Sequence, residues 1–320
     1  MNAPDRQTSV YSPVRAGTRG SPLALVQTRT FLRLLAAVPS AGEGQEVIIA
    51  TTGDAVQDRP LADIGGKGLF AKEIHEALLD RRIDCAVHSL KDLETELPPG
   101  IVLGCTLPRE DARDVLILGD ACDPPDPASP LDALRRGALV GTSSVRRQAQ
   151  LLHARPDLRV ASIRGNVQTR LRKLHEGECQ ASLLALAGLR RLAMEVPGSI
   201  VLDPGVMLPA AAQGIVGITV RADDTALRDL LALIEDPASR AVATAERAML
   251  AALDGSCRTP IGAHGWLLPD GDMTLTGLVA RADGSFLLKR SVTGRSADAF
   301  RVGAELGALL RAGAPADLFG

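Results

Sequence analysis

Over the first two-thirds of the chain, short apolar, β-branched runs alternate with stretches of helical periodicity. Residues 14–18, 46–51, 83–88 and 101–107 read as strands, and 22–37 and 69–82 as helices. Ser21-Pro22 marks the first helix start, because serine can cap free N–H groups and proline suits the first helical position. Gly65-Gly66-Lys67-Gly68 reads as a flexible loop, and the proline- and aspartate-rich stretch 119–130 as an exposed loop near a domain boundary. The alternation then restarts, with strands at 139–142, 158–163 and 181–186 and helices at 144–154 and 167–176. This pattern predicts parallel sheets covered by helices on both faces, with ligands beyond the carboxyl ends of the strands. Residues 201–220, broken by Pro204, Pro209 and Gln213, read as loop plus buried strand.

The last third changes character. Helical stretches at 223–234 and 237–253 precede strand-like runs at 263–268, 273–281 and 285–292 and a final helix at 297–312. Turns at 269–271 and 283–284 separate the strands, so a small α+β unit with an antiparallel meander is expected. No repeat of fixed period occurs.

Composition narrows the function classes. In 320 residues, 36 basic and 38 acidic side chains nearly cancel, which disfavours a polybasic nucleic-acid binder. Aromatics make up 2%, too few for a base-stacking surface. The 46% hydrophobic content supports packed cores rather than disorder. Cys85, Cys105, Cys122, Cys179 and Cys257 are odd in number and widely spaced, fitting neither a disulfide framework nor a zinc ribbon. The polar start (residues 1–13) has no apolar signal core, and no stretch reads as a membrane span. A soluble protein of the reducing cytoplasm, with no metal, nucleic-acid or membrane partner, is expected.

Only five of the basic residues are lysines, leaving 31 arginines. A GC-rich genome would do this, but arginine's planar fork also matches carboxylates. Arg19 follows the first strand, and Arg146 and Arg147 open the helix after Thr142-Ser143-Ser144. Arg164-Gly165-Asn166 lies between strand and helix, with Arg170 one turn further on. Cations at helix starts oppose the dipole, and a bound polyanion would account for them. On position alone, ordinary solvated or salt-bridged arginines account for them equally well. Lys91-Asp92 follows the strand at 83–88, where a carboxylate can act as acid, base or cation stabiliser; a plain loop ion pair is the alternative. His88 reads as structural. Cys257 alone sits in a polar, turn-rich segment beside Arg258, which favours a thiolate, although lone exposed cysteines are commonly incidental.

Several blocks in order resemble one family. They are Thr18-Arg19-Gly20-Ser21-Pro22-Leu23-Ala24, Gly65-Gly66-Lys67-Gly68-Leu69-Phe70 and Ala86-Val87-His88-Ser89-Leu90-Lys91-Asp92. Gly141-Thr142-Ser143-Ser144-Val145-Arg146-Arg147-Gln148, Arg164-Gly165-Asn166-Val167 and Ala187-Gly188-Leu189-Arg190-Arg191-Leu192 follow. Gln213-Gly214 and the segment from Glu246-Arg247 through Cys257 to Gly262 complete the set. Each block is weak to moderate alone; together they resemble the hydroxymethylbilane synthase, or porphobilinogen deaminase, family from about Val14 to the final helix.

The resemblance implies an α/β fold of three domains. Residues 1–112 with 214–235 and residues 113–213 would form two lobes like type-II periplasmic binding proteins around a cleft. Residues 236–320 would form a small C-terminal α+β domain with an antiparallel sheet. It implies a transferase of tetrapyrrole and haem biosynthesis that condenses four porphobilinogens with loss of ammonia and releases linear hydroxymethylbilane. The chain grows on one dipyrromethane cofactor, held by a thioether to the residue matching Cys257. Asp92 matches the catalytic carboxylate, which stabilises positive charge on the pyrrole nitrogen. Lys91, Asp92, Thr142, Ser143, Ser144, Arg146, Arg147, Arg164, Gly165 and Gln213 match cofactor-binding positions. Arg19, Ser21, Lys67, Arg164, Arg170 and Arg191 match substrate-binding positions. The substrate is a small molecule and a monomer is expected. Leu90 departs from a frequent methionine, Ser256 and Arg258 from Gly and Gln, and Ala211-Ala212 from Val-Gly. A two-lobed small-anion-binding protein without catalysis is the alternative, and an effector-binding regulatory domain a more distant one.

Overall fold

The computed structural model describes residues 13–55, 70–119, 126, 128–254 and 259–319. Lys67, Cys122 and Cys257, with the glycine-rich loop at 65–68, lie outside the described residues.

The chain builds two five-stranded sheets and one three-stranded sheet. β1 (Val14–Thr18), β2 (Gly44–Ile48), β3 (Cys85–Ser89) and β4 (Ile101–Thr106) belong to the first, with α1 (Pro22–Ala36), α2 (Thr52–Ala55) and α3 (Lys72–Leu79) between them. Ser21 caps α1 as its sequence predicts, accepting the Ala24 N–H at 3.3 Å. Gln27, Thr28, Phe31 and Leu35 then fall on one buried face at helical spacing.

Next, β5 (Asp114–Leu118), β6 (Leu139–Gly141), β7 (Arg159–Ala161), β8 (Ala181–Ala185) and β9 (Ser199–Val201) form the second sheet. α4 (Val145–Ala154), α5 (Val167–His175) and α6 (Leu186–Arg191) accompany it. β10 (Val216–Arg221) then returns to the first sheet, between β3 and β4.

Neither sheet is purely parallel, which corrects the sequence expectation. β1 runs parallel to β2 and β3, but β10 is antiparallel to β3 and β4. Likewise β6 is parallel to β7 and β8, while β5 is antiparallel to β8 and β9. The reversed strand is in each case the first laid down after the chain crosses between sheets. Hydrophobic periodicity carries no strand direction, and the β5 run was not among the predicted strands. α6 was also missed, because its apolar start continues the β8 run.

The two crossings lie side by side. The Glu110 N–H donates to the Gly214 carbonyl at 3.0 Å. Gly214 has φ +88°, and a Cβ there would collide with the Glu110 carbonyl oxygen. Ala212 takes the same left-handed region at φ +59°.

α7 (Thr225–Ala232) and α8 (Pro237–Ala252) lead to the third sheet of β11 (Ile261–Leu267), β12 (Asp272–Ala280) and β13 (Leu287–Arg295), closed by α9 (Ala299–Gly313). This antiparallel meander matches the sequence reading. Met249, Leu275, Leu306 and Leu310 are among its fully buried residues. Arg109 in the first crossing reaches Glu246 of α8 through two hydrogen bonds of 2.8 and 3.2 Å, and Glu246 is fully buried. Among the described residues, no helix is long and apolar enough to cross a membrane.

Candidate active site

The carboxyl ends of β1, β3, β6 and β8 open onto a cleft of about 780 Å³ between the first two sheets. Arg19 and Ser21 follow β1, and Arg19 lies 4.0 Å from the centre of the Phe70 ring. Beyond β3 the chain makes one 3₁₀ turn, Leu90–Asp92. Leu90 is buried beneath it, while Lys91 and Asp92 face the cleft. Asp92 is exposed and makes no hydrogen bond or ion pair among the described residues. It is the only acidic side chain among the described cleft-lining residues, against Arg19, Lys91, Arg147, Arg164, Arg170 and Arg191.

Several of these cations bear the cost of being there. Lys91 touches water in the cleft, yet protein surrounds it, and burial brings its ammonium down to about 8. Its Nζ donates to Gln213 Oε1 at 3.2 Å. Burial, with Arg147 and Arg164 nearby, lowers Arg170 to about 10, so it remains charged at neutral pH. Its Nε donates to the Gly165 carbonyl at 3.0 Å. Burial also lowers Arg191, whose Nη2 donates to the Gly214 carbonyl at 2.6 Å. Lys91, Arg170 and Arg191 have no ion-pair partner among the described residues. Cations held so, in a concave site of this size, suit a ligand carrying several carboxylates.

Residues 14–229 match the porphobilinogen deaminase dipyromethane cofactor binding domain, and residues 241–312 the porphobilinogen deaminase C-terminal domain. The chain belongs to the porphobilinogen deaminase family. It is 48% identical to the porphobilinogen deaminase of Paracoccus denitrificans over 310 residues, covering 96% of each. It is 50% identical to the chloroplastic porphobilinogen deaminase of Oryza sativa over 287 residues, covering 88% of this chain and 78% of that one. A probable amino-acid ABC transporter extracellular-binding protein, ytmK of Bacillus subtilis, is similar at a TM-score of 0.41 and 10% identity, covering 70% of this chain and 90% of that chain.

Within this cleft, the sequence-predicted residues divide. Arg19, Ser21, Lys91, Asp92, Ser143, Arg147, Arg164, Gly165, Arg170, Arg191 and Gln213 line it. Thr142, Ser144 and Arg146 do not. Ser144 caps α4 through the Arg147 N–H at 3.4 Å, and Thr142 Oγ1 accepts the Ser144 N–H at 3.2 Å. Arg146 is buried, donating to the Leu208 carbonyl at 2.6 Å and pairing with Asp114 at 2.8 Å. His88 is structural, as read: burial lowers it to about 3, and its ring meets Thr219 Oγ1 at 3.0 Å.

Asp114 was missed. It is fully buried and pairs with both Arg146 and Arg147. Burial opposes its charge, but the two guanidiniums prevail and hold the carboxyl well below the usual range. The available signal was an acid heading the apolar run 114–118, a charge that only a buried partner would permit there. Phe70, Gln27 and Ser89 also line the site, and Gln27 Nε2 donates to Ser89 Oγ at 2.9 Å.

Proposed function

We propose that this chain is a hydroxymethylbilane synthase working through the cleft of the first two sheets. Four porphobilinogens and one water give hydroxymethylbilane and four ammonias. The observation that carries the assignment of roles is Asp92, a free carboxylate at the end of β3 in a cleft whose other charged residues, among those described, are all cations.

The donors present fit dipyrromethane, whose rings carry acetate and propionate groups. Arg147, Arg164, Lys91, Ser143 and the Gly165 turn are the cofactor-holding set, with Cys257 as the thioether attachment. Thr142, Ser144 and Arg146 join this set through the helix start that they shape. When bound, the cofactor supplies a terminal pyrrole carbon as nucleophile. Arg19, Ser21, Arg170 and Arg191, with Lys67, hold the carboxylates of incoming substrate. A charge-assisted hydrogen bond of this kind contributes roughly 1.5–3 kcal/mol. Asp92 accepts the pyrrole N–H of porphobilinogen and stabilises the positive charge that develops as ammonia leaves. The same carboxylate can take the proton lost from the attacking ring carbon as its new bond forms.

A three-domain division at 1–112 with 214–235, 113–213 and 236–320 goes with this reading; the membership of β10 in the first sheet supports it. So do a cytoplasmic location and a monomer acting on a small molecule, without nucleic acid or membrane.

The test is the intact mass of the denatured protein with peptide mapping. An increment of two porphobilinogens less two ammonias on Cys257 is expected. An unmodified chain that gains no increment on incubation with porphobilinogen would overturn the reading in favour of a two-lobed anion-binding protein.

A further inference from the structure

We propose that Asp114 is a positioning residue for the cleft: its buried carboxylate fixes Arg147 in the cleft wall and, through the Gln213 amide, fixes Lys91 beside Asp92. The proposal rests on the functional reading above for its kinetic consequence, but not for its geometry.

The geometry is a chain of contacts across the two crossings. Asp114 opens β5, directly after the first crossing, opposite Ala185 at the carboxyl end of β8. Its Oδ1 accepts from Arg147 Nη2 at 2.7 Å and from Gln213 Nε2 at 2.8 Å. Its Oδ2 pairs with Arg146 Nη2 at 2.8 Å. Gln213 belongs to the second crossing and is itself 1% exposed. Its Nε2 also donates to the Ala112 carbonyl at 2.6 Å, which orients the amide and turns Oε1 toward Lys91 Nζ. One carboxylate thereby sets side chains from both lobes at the line where the chain passes between them. Arg147 has its remaining terminal nitrogen on the Leu183 carbonyl at 2.7 Å, so its head is held on two sides.

The charges facing Lys91 give the network an electrical consequence. Asp92 faces it from its own turn, Asp114 from the head of β5, and Arg146 and Arg147 from α4. Asp92 and Asp114 favour the ammonium, whereas burial and the two arginines oppose it. Neutralising Asp114 leaves Asp92 alone to offset the two guanidiniums facing Lys91, and the ammonium then loses its proton at lower pH. A merely structural Asp114 would change melting temperature and leave that titration where it was.

The experiment uses the holoenzyme and the variants Asp114→Asn and Gln213→Met. The pH dependence of Lys91 acetylation by acetic anhydride is followed by peptide mass spectrometry, and the pH profile of porphobilinogen turnover is measured beside it. Asp114→Asn is expected to move the onset of Lys91 reactivity down by about one pH unit, and Gln213→Met by roughly half of that. The alkaline limb of turnover moves in step, with kcat falling more than KM rises. Gln213→Met leaves Asp114 paired with both arginines, so it decides the matter if Asp114→Asn does not fold. Acetylation profiles coincident with the parent protein in the folded variants overturn the proposal. Shifted acetylation in a protein that never turns over porphobilinogen upholds the network and overturns the functional reading.

Discussion

Asp84 and Asp114 are two of the buried carboxylates that grip arginines in this molecule, and their positions along the strands separate them. Asp84 stands just before β3, at the amino end of the parallel strands. It takes Arg15 in a two-pronged contact of 2.8 and 3.0 Å, with Arg221 3.8 Å away and itself paired to Asp224 at 2.7 Å. Asp114 stands at the opposite end of its own sheet, where the cleft opens, and takes Arg146 and Arg147. The chemistry is alike, since each aspartate is ionised against burial by guanidiniums. The surroundings differ: nothing near Asp84 lines the cleft, whereas Arg147 and Gln213 do. An ion cluster at the base of a sheet can only hold the sheet, and one at the carboxyl ends can also aim its partners at a ligand.

Asp92 sharpens this contrast most, as the cleft carboxylate that no arginine grips. Asp92→Asn is expected to lower porphobilinogen turnover by about 100-fold or more, because a preorganised group facing developing charge is removed. Thermal stability should stay at the parent level, since the side chain is exposed and unbonded. Turnover within a few-fold of the parent, measured on folded holoenzyme, would break the role given to Asp92.

Arg147→Leu and Arg15→Leu test the two ends directly. Truncating one partner of a buried pair costs about 3–5 kcal/mol, and Arg147 is 6% exposed at its side chain. Arg147→Leu should therefore lose stability and slow primer assembly or elongation together. The Arg15 side chain is 39% exposed, so water takes up part of the loss and about 1–2 kcal/mol is expected. Its kinetics should match the parent. A kinetic defect in Arg15→Leu, at the far end of the sheet, would break the contrast.

The sequence made one end far more legible than the other. Lys91-Asp92 follows an apolar run directly, so the strand announces the acid at its end. Arg164 and Arg170 stand at a strand–helix junction for the same reason. Asp114 hides within Arg109-Glu110-Asp111-Ala112-Arg113-Asp114, which reads as a solvated loop, and its partners lie over thirty residues downstream. The arginine pair 146–147 showed the converse difficulty. Adjacent residues on a helix point in different directions, and only the folded α4 shows one head at the cleft wall and the other on the Leu208 carbonyl. The fold was legible in most of its elements, with β5, β9 and α6 among those missed, and not in strand direction, since the reversed strands β5 and β10 come from crossings that local pattern does not encode.

A smaller effect separates two arginines of one helix. Arg170 faces the cleft without an ion pair, whereas Arg172 pairs with Glu176 at 3.0 Å on the exposed side. Arg170→Ala is expected to reduce kcat/KM about tenfold or more, the equivalent of one charged hydrogen bond. Arg172→Ala should change neither kinetics nor stability by more than about 0.5 kcal/mol. Equal kinetic losses in steady-state assays of the two variants would mean that the helix, and not the cleft contact, matters.

The weakest signal is the acid dependence of the base cluster. Burial works against the Asp84 carboxylate, but the hydrogen bonds from Arg15 outweigh it and leave its carboxyl below the ordinary value. A carboxyl lowered on folding binds its proton more readily when unfolded, so its contribution is complete above the unfolded pKa of about 4. That contribution is lost as pH falls below this value toward the folded one. Asp84→Asn forgoes it at every pH. The melting temperature of Asp84→Asn should therefore lie below the parent at pH 7 and draw closer to it as pH falls below about 4. Because Asp84 touches nothing in the cleft, the variant should also keep the parent's turnover profile at neutral pH. A gap between the two melting curves that stays constant down to pH 3 would mean that Arg15 and Asp84 meet without coupling to folding.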